Sequence, residues 1–230
     1  MATQTKSKSD AWDRLYQKLV NEEDARVCTD ISEQACQVVP GNFLLQILAQ
    51  FFTKLGDAIA SPKTVLAWLF GALSVPGLFT AFLVPVRESG SLIPQLVIAS
   101  YIRGQQRRKW AFVVGSLLQA LAILAMAGVA LSLSGAAAGA GITTALVFFS
   151  LARGLCSVAS KDVTGKTVPK TRRGRLNGWS GSLAGFATLG IGVVLLQGLG
   201  GDDSDLLLFA LLLLVAALLW VVAAFAYGMI

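Results

Sequence analysis

The chain has 230 residues, of which 55% are hydrophobic and only 14% are charged, and its mean hydropathy is +0.67. Soluble domains of this length carry more charge, so the composition excludes an ordinary soluble globular protein. The net charge of +6 comes from two short connections between apolar stretches, so membrane topology accounts for it and nucleic acid is not an expected partner.

The first 41 residues form a polar segment ahead of the apolar part of the chain. Residues 11–27 predict an amphipathic helix, on the membrane surface or on the cytoplasmic ends of the other helices, because their apolar positions have helical spacing: Trp12, Leu15, Tyr16, Leu19 and Val20. The segment contains no apolar run long enough for a signal peptide. Cys28 and Cys36 lack the spacing of a zinc site, and the chain has no histidine to complete one.

Six apolar stretches follow, and each predicts a membrane-spanning helix, because a span needs about 20 apolar residues. Pro62 predicts a bend in the first of them. Basic residues occur only in the second and fourth connections, which predicts that both termini are cytoplasmic. We therefore expect an all-α integral membrane protein, in the inner membrane of a prokaryote, with spans at residues 42–70, 76–102, 109–130, 142–161, 176–198 and 206–227.

Charged side chains inside these predicted spans indicate where function lies. A charge at the bilayer centre costs about 2.5–3.5 kcal/mol on insertion scales. Five charged residues are therefore expected to face a shared interior: Lys54, Asp57, Arg87, Glu88 and Arg153. Helical periodicity adds amides and a hydroxyl on the same faces: Gln46, Gln50, Ser91 and Gln95. The set either lines a solute pathway or forms a closed ion-pair network that holds helices together.

The chemistry open to this set is limited. Lys54 and Asp57 are three residues apart and can pair along one helix. Without histidine, a proton relay would depend on Asp57 and Glu88. The five charges sum to +1, which slightly favours an anionic or zwitterionic solute. No nucleophile–base pair or metal cluster is present in the sequence, so neither an enzyme nor a cofactor is expected.

Four stretches resemble the amino-terminal half of a major facilitator superfamily transporter. Residues 54–62 resemble the first helix of that family, and Arg153-Gly154 resembles its helix-four motif. Residues 99–108 are similar to the motif between helices two and three. Residues 169–178 look like the loop between helices four and five. The residues assigned to the cytoplasmic loops are Arg103, which replaces the usual aspartate of the motif, and Arg107, Arg108, Asp162, Arg172, Arg173, Gly174 and Arg175.

The resemblance implies secondary active transport of a small solute by alternating access, with an arginine in helix four implicated in proton coupling. The family has two six-helix halves, and this chain would be one of them. Three explanations are then open: a truncated product, a split transporter with a separate second half, or a six-helix protein that pairs with a copy of itself. The alternative, from a different class, is a membrane scaffold or assembly subunit that does not transport.

Overall fold

The computed structural model describes residues 15–16, 18–19, 38–93, 95–104, 108–198 and 204–230, and the regular structure there is α-helical. In chain order the helices are α1 (Val39–Ile59), α2 (Val65–Ala72), α3 (Gly77–Leu92), α4 (Gln95–Arg103), α5 (Lys109–Ser132), α6 (Gly135–Thr167), α7 (Lys170–Gly198) and α8 (Ser204–Gly228). Of the predicted amino-terminal helix, residues 15–16 and 18–19 are helical, and the rest lies outside the described residues.

Within the described part of the chain, three helices are long and apolar enough to cross a membrane, judged by length and composition. They are α5, α6 and, over Leu206–Gly228, α8. This is consistent with a membrane protein. The predicted architecture of six membrane-spanning helices, with the transporter-like bundle built on it, is therefore wrong.

The first predicted span is two helices. The helix α1 ends at Ile59 and α2 begins only at Val65, because Pro62 lacks an N–H and disfavours helical geometry in the residue before it. The bend that Pro62 predicted is therefore a complete break. With eight residues, α2 is about 12 Å long, much less than a bilayer requires.

The second predicted span is also two helices, and the fifth is one helix that is less apolar than a membrane span. The 16-residue α3 ends at Leu92 and α4 begins at Gln95, with a proline between them in the sequence. The helix α7 is long, but four of its first six residues are basic and glycine and serine follow. Charge and small polar residues lower the hydropathy of a helix without preventing its formation.

The core lies where α5, α6 and α8 meet, with α1 packed against α7 and α8, and α3 packed against α6. The rings of Phe149 and Trp220 meet edge to face at 5.1 Å, and both are fully buried. Gly56 lets α1 approach α8, because a Cβ there would lie 3.1 Å from the Trp220 ring. This packing sets α1, α3 and α6 around a common interior.

Several helix ends meet at one pole of the molecule, which we call the basic end. Arg108, just before α5, pairs with Asp162 near the end of α6. Lys109 Nζ donates to the carbonyl of Gly228 at 2.9 Å, which brings the end of α8 to the same pole. Phe43 near the start of α1 packs in one buried cluster with residues at the α6–α7 connection: Val168 and Leu176.

Candidate functional site

A cleft of about 580 Å³ lies between α1, α3, α5, α6 and α7. Two of the nine predicted pathway residues, Gln46 and Arg87, are buried and do not line it. The structure brings the other seven to its wall: Gln50, Lys54, Asp57, Glu88, Ser91, Gln95 and Arg153. Their role in a solute pathway stays a prediction, but they share one interior space.

Asp57 is the centre of a paired cluster at one side of the cleft. Its Oδ1 accepts a hydrogen bond from Arg87 Nη2 at 2.9 Å, and its Oδ2 forms an ion pair with Arg153. Arg87 Nη1 also donates to the carbonyl of Ala60 at 2.8 Å, and its guanidinium lies 5.4 Å from the centre of the Phe149 ring. The carbonyl of Ala60 is free to accept because α1 has just ended.

Lys54 does not use Asp57, although the spacing along α1 permits that pair. Its Nζ reaches α7, where it donates to Ser180 Oγ at 2.8 Å and to the carbonyl of Asn177 at 3.4 Å. Ser180 Oγ donates in turn to Gln50 Oε1 at 3.1 Å. Lys54 is therefore held by neutral oxygens, and the carboxylate that could have paired with it is occupied by two arginines.

Two further basic side chains line the cleft near the basic end. Arg173 donates from Nε to the carbonyl of Val168 at 3.0 Å and from Nη2 to that of Gly165 at 2.7 Å, so its guanidinium caps the end of α6. Lys161 is exposed to the cleft. Sequence reasoning missed Lys161 and placed Arg173 in a loop motif. The four- and eight-residue spacing of Ser157 and Lys161 from Arg153 could have revealed the stripe.

Glu88 lines the cleft and is exposed, and it forms no ion pair with any residue that the structure describes. Gln119, which the prediction did not include, is fully buried at the cleft wall. Its Nε2 donates to Cys156 Sγ at 3.1 Å, while its Oε1 has no hydrogen-bond partner among the described residues. Within the described residues, the Glu88 carboxylate thus has no ion-pair partner, and the amide oxygen of Gln119 has no hydrogen-bond donor.

The remaining predicted residues have structural contacts. Gln46 accepts from Thr164 Oγ1 at 2.8 Å and donates to Thr167, which ties α1 to the end of α6. The Arg172 guanidinium lies 5.2 Å from the centre of the Tyr16 ring, and burial, with repulsion from Arg175, lowers the pKa of Arg172.

The structure says less about the other predicted loop residues. A side chain at Gly174 would meet no atom within 4 Å, so close packing does not require a glycine there. The side chains of Arg103 and Arg107 lie outside the described residues, as do Cys28 and Cys36. Arg108 and Asp162 form the ion pair at the basic end.

No protein-family model, curated protein or solved structure matches this chain. The resemblance to the major facilitator superfamily accordingly stays a prediction from sequence. Among the described residues, no group of three or more histidine, cysteine, aspartate or glutamate side chains could hold a metal ion.

Proposed function

We propose that this protein transports a small solute across a membrane through the cleft, by alternating access. The observation that carries the proposal is the set of charged side chains that line the cleft without an ion-pair partner among the described residues. A structural ion-pair network accounts for Asp57, Arg87 and Arg153. It does not account for Lys54, Lys161 or Glu88, none of which forms an ion pair with another described residue.

The shape of the cleft supports the same proposal. Its volume of about 580 Å³ falls within the roughly 300–1,000 Å³ of small-molecule sites. Both interrupted helices stop beside it: Asp57 lies just before the end of α1, and Leu92 and Gln95 flank the gap between α3 and α4. Transporters commonly build solute sites at such discontinuous helices, where freed carbonyl groups can be satisfied.

The orientation belongs to this proposal as well. Basic segments stay on the cytoplasmic side, so the basic end would face the cytoplasm in the inner membrane of a prokaryote. The end of α8 lies at that pole through Lys109, and the start of α1 lies there through Phe43. Both termini would then be cytoplasmic.

Transport coupled to a gradient would use Glu88, because this carboxylate is exposed to the cleft and unpaired in the described structure. In this proposal a second copy of the chain or a separate partner chain forms the rest of the solute pathway. The scaffold alternative is favoured by one observation, the Arg87–Asp57–Arg153 cluster, which ties α1, α3 and α6 together.

Uptake into proteoliposomes separates these functions. The purified full chain would be reconstituted with an imposed pH gradient and offered labelled citrate, glutamate, lysine and glucose. Saturable uptake that Glu88→Gln abolishes, and that Lys166→Gln leaves unchanged, is expected for a coupled transporter. Lys166 is a suitable control because it is exposed on α6 and does not line the cleft. Uptake at the level of empty liposomes for every solute, by a folded protein, would favour the scaffold.

A further inference from the structure

We infer that the part of the cleft nearest the basic end binds an anionic group, a carboxylate or a phosphate, through Lys54, Lys161 and Arg173. The inference rests on the proposed function, since it treats the cleft as the solute path, and it names the chemical class of the solute. It assigns binding to a different set of residues from the Asp57 cluster.

Three helices bring these side chains to the wall of the same cleft. Lys54 on α1 reaches the carbonyl of Asn177 on α7, and Arg173 precedes Asn177 by one helical turn on the same face. Arg173 crosses to the carbonyl of Gly165, which places its guanidinium beside the last turn of α6. Lys161 lies one turn earlier on α6, and all three basic side chains line the same cleft.

The positive charge on this part of the cleft wall favours an anionic ligand. Among the described residues, the two carboxylates on the cleft wall are Asp57, which two arginines already hold, and Glu88 on α3. Asp162 follows Lys161 in sequence, but it pairs with Arg108. Lys54 and Arg173 make hydrogen bonds to neutral oxygens, and neither forms an ion pair with a described carboxylate. An anionic group in this part of the cleft would supply the opposite charge that the neutral oxygens do not.

The length of the cleft also limits the ligand. From Arg153 to Lys161 the wall of α6 rises by about 12 Å, so one small anion cannot reach both ends. Gln119 lies on the wall between them, but it is fully buried, so its Oε1 is not presented to a solute. A small solute whose anionic group lies near Lys161 fits this arrangement.

Binding can be measured without transport. The full chain in phosphatidylcholine nanodiscs would be titrated calorimetrically with citrate and, separately, with inorganic phosphate. Lys161→Gln is expected to raise the Kd on the order of tenfold, because it removes one charge-assisted contact. The fold should survive, since Lys161 is exposed. Lys166→Gln is the matched control on the same helix, about 140° around its axis, and should leave the Kd unchanged.

A second arm identifies the source of the anion, which could be a solute or a lipid headgroup. Repeating the titration in phosphatidylglycerol nanodiscs should leave citrate binding in place if the ligand is a solute. If only phosphatidylglycerol binds, in a manner that depends on Lys161, the site serves a lipid headgroup. Equal affinities of wild type, Lys161→Gln and Lys166→Gln, or no binding of citrate, phosphate or phosphatidylglycerol, would overturn the inference.

The same measurement separates this inference from the proposed function. Binding that depends on Lys161, in a chain that takes up no solute, would remove the transport proposal and keep the anion site. Saturable uptake of lysine or glucose, with no effect of Lys161→Gln on any solute, would keep transport and remove the anion site.

Discussion

Two groups of charged residues share one cleft and differ in how their charge is compensated. Around Asp57, two guanidinium groups, a backbone carbonyl and an aromatic ring satisfy one another within the protein. Around Lys54 and Arg173, the described contacts are to hydroxyl and carbonyl oxygens, which orient a cation but do not neutralise it. The first group can hold helices together, whereas the second still has charge to offer a ligand.

Asp57→Asn should have the largest effect on the free energy of unfolding. Arg87 is only 6% exposed, and the substitution would leave its charge without a carboxylate inside the protein. Removing one partner of a buried pair costs about 3–5 kcal/mol, so we expect the free energy of unfolding to fall by about that amount. Titration with sodium dodecyl sulfate in mixed micelles, followed by circular dichroism, measures it.

Glu88→Gln is the matched control, because Glu88 follows Arg87 on the same helix but is exposed and lacks an ion pair in the described structure. Its effect on unfolding should stay within about 0.5 kcal/mol. Equal losses from both variants would show that pairing is not what distinguishes the Asp57 cluster.

Arg153→Gln should have a smaller effect than Asp57→Asn, although it breaks an ion pair with the same carboxylate. The Arg153 side chain is 35% exposed, and Asp57 would keep Arg87 as a partner. We expect a loss of about 1 kcal/mol, since a half-exposed pair contributes little. A double-mutant cycle with Asp57→Asn should give a clear coupling energy, and strict additivity would contradict the contact.

The sequence contained enough to find the polar faces but not their partners. Charged and amide side chains at helical spacing in an apolar chain must share an interior, so periodicity and insertion cost identified Lys54, Asp57 and Arg153 together. Spacing along α1 could not show that Lys54 would reach Ser180 on α7, because the neighbour of each helix depends on packing.

Helix ends were harder to predict for a related reason. Membrane helices often tolerate proline, so Pro62 predicted a bend. In the structure the helix ends there, and Arg87 from α3 donates a hydrogen bond to the carbonyl of Ala60. In a continuous helix that carbonyl would accept a hydrogen bond from the backbone. The contact with Arg87 comes from a residue 27 positions away, so it cannot be read from the local sequence.

Lys54→Met tests the second group directly. The substitution keeps the aliphatic stem of the side chain and removes the hydrogen bonds to Ser180 and Asn177. Because it also removes an uncompensated charge, the loss in unfolding free energy should stay below about 1 kcal/mol. Its Kd for citrate should nevertheless rise on the order of tenfold. A large loss of stability would place Lys54 in the structural group with Asp57.

Arg108→Gln should have the smallest effect on stability. It tests whether an ion pair stabilises the protein strongly only when it is buried, as it is around Asp57. Arg108 and Asp162 pair at the basic end, where their side chains are 18% and 27% exposed. Water and salt screen such a pair, so the melting temperature should fall by less than about 2 °C. The difference from wild type should disappear in about 0.5 M salt, because the Debye length is several-fold shorter there than in dilute buffer. In the same salt the Asp57→Asn defect should persist, because a buried pair is screened much less. A melting temperature that falls as far for Arg108→Gln as for Asp57→Asn would mean that burial does not separate the two pairs.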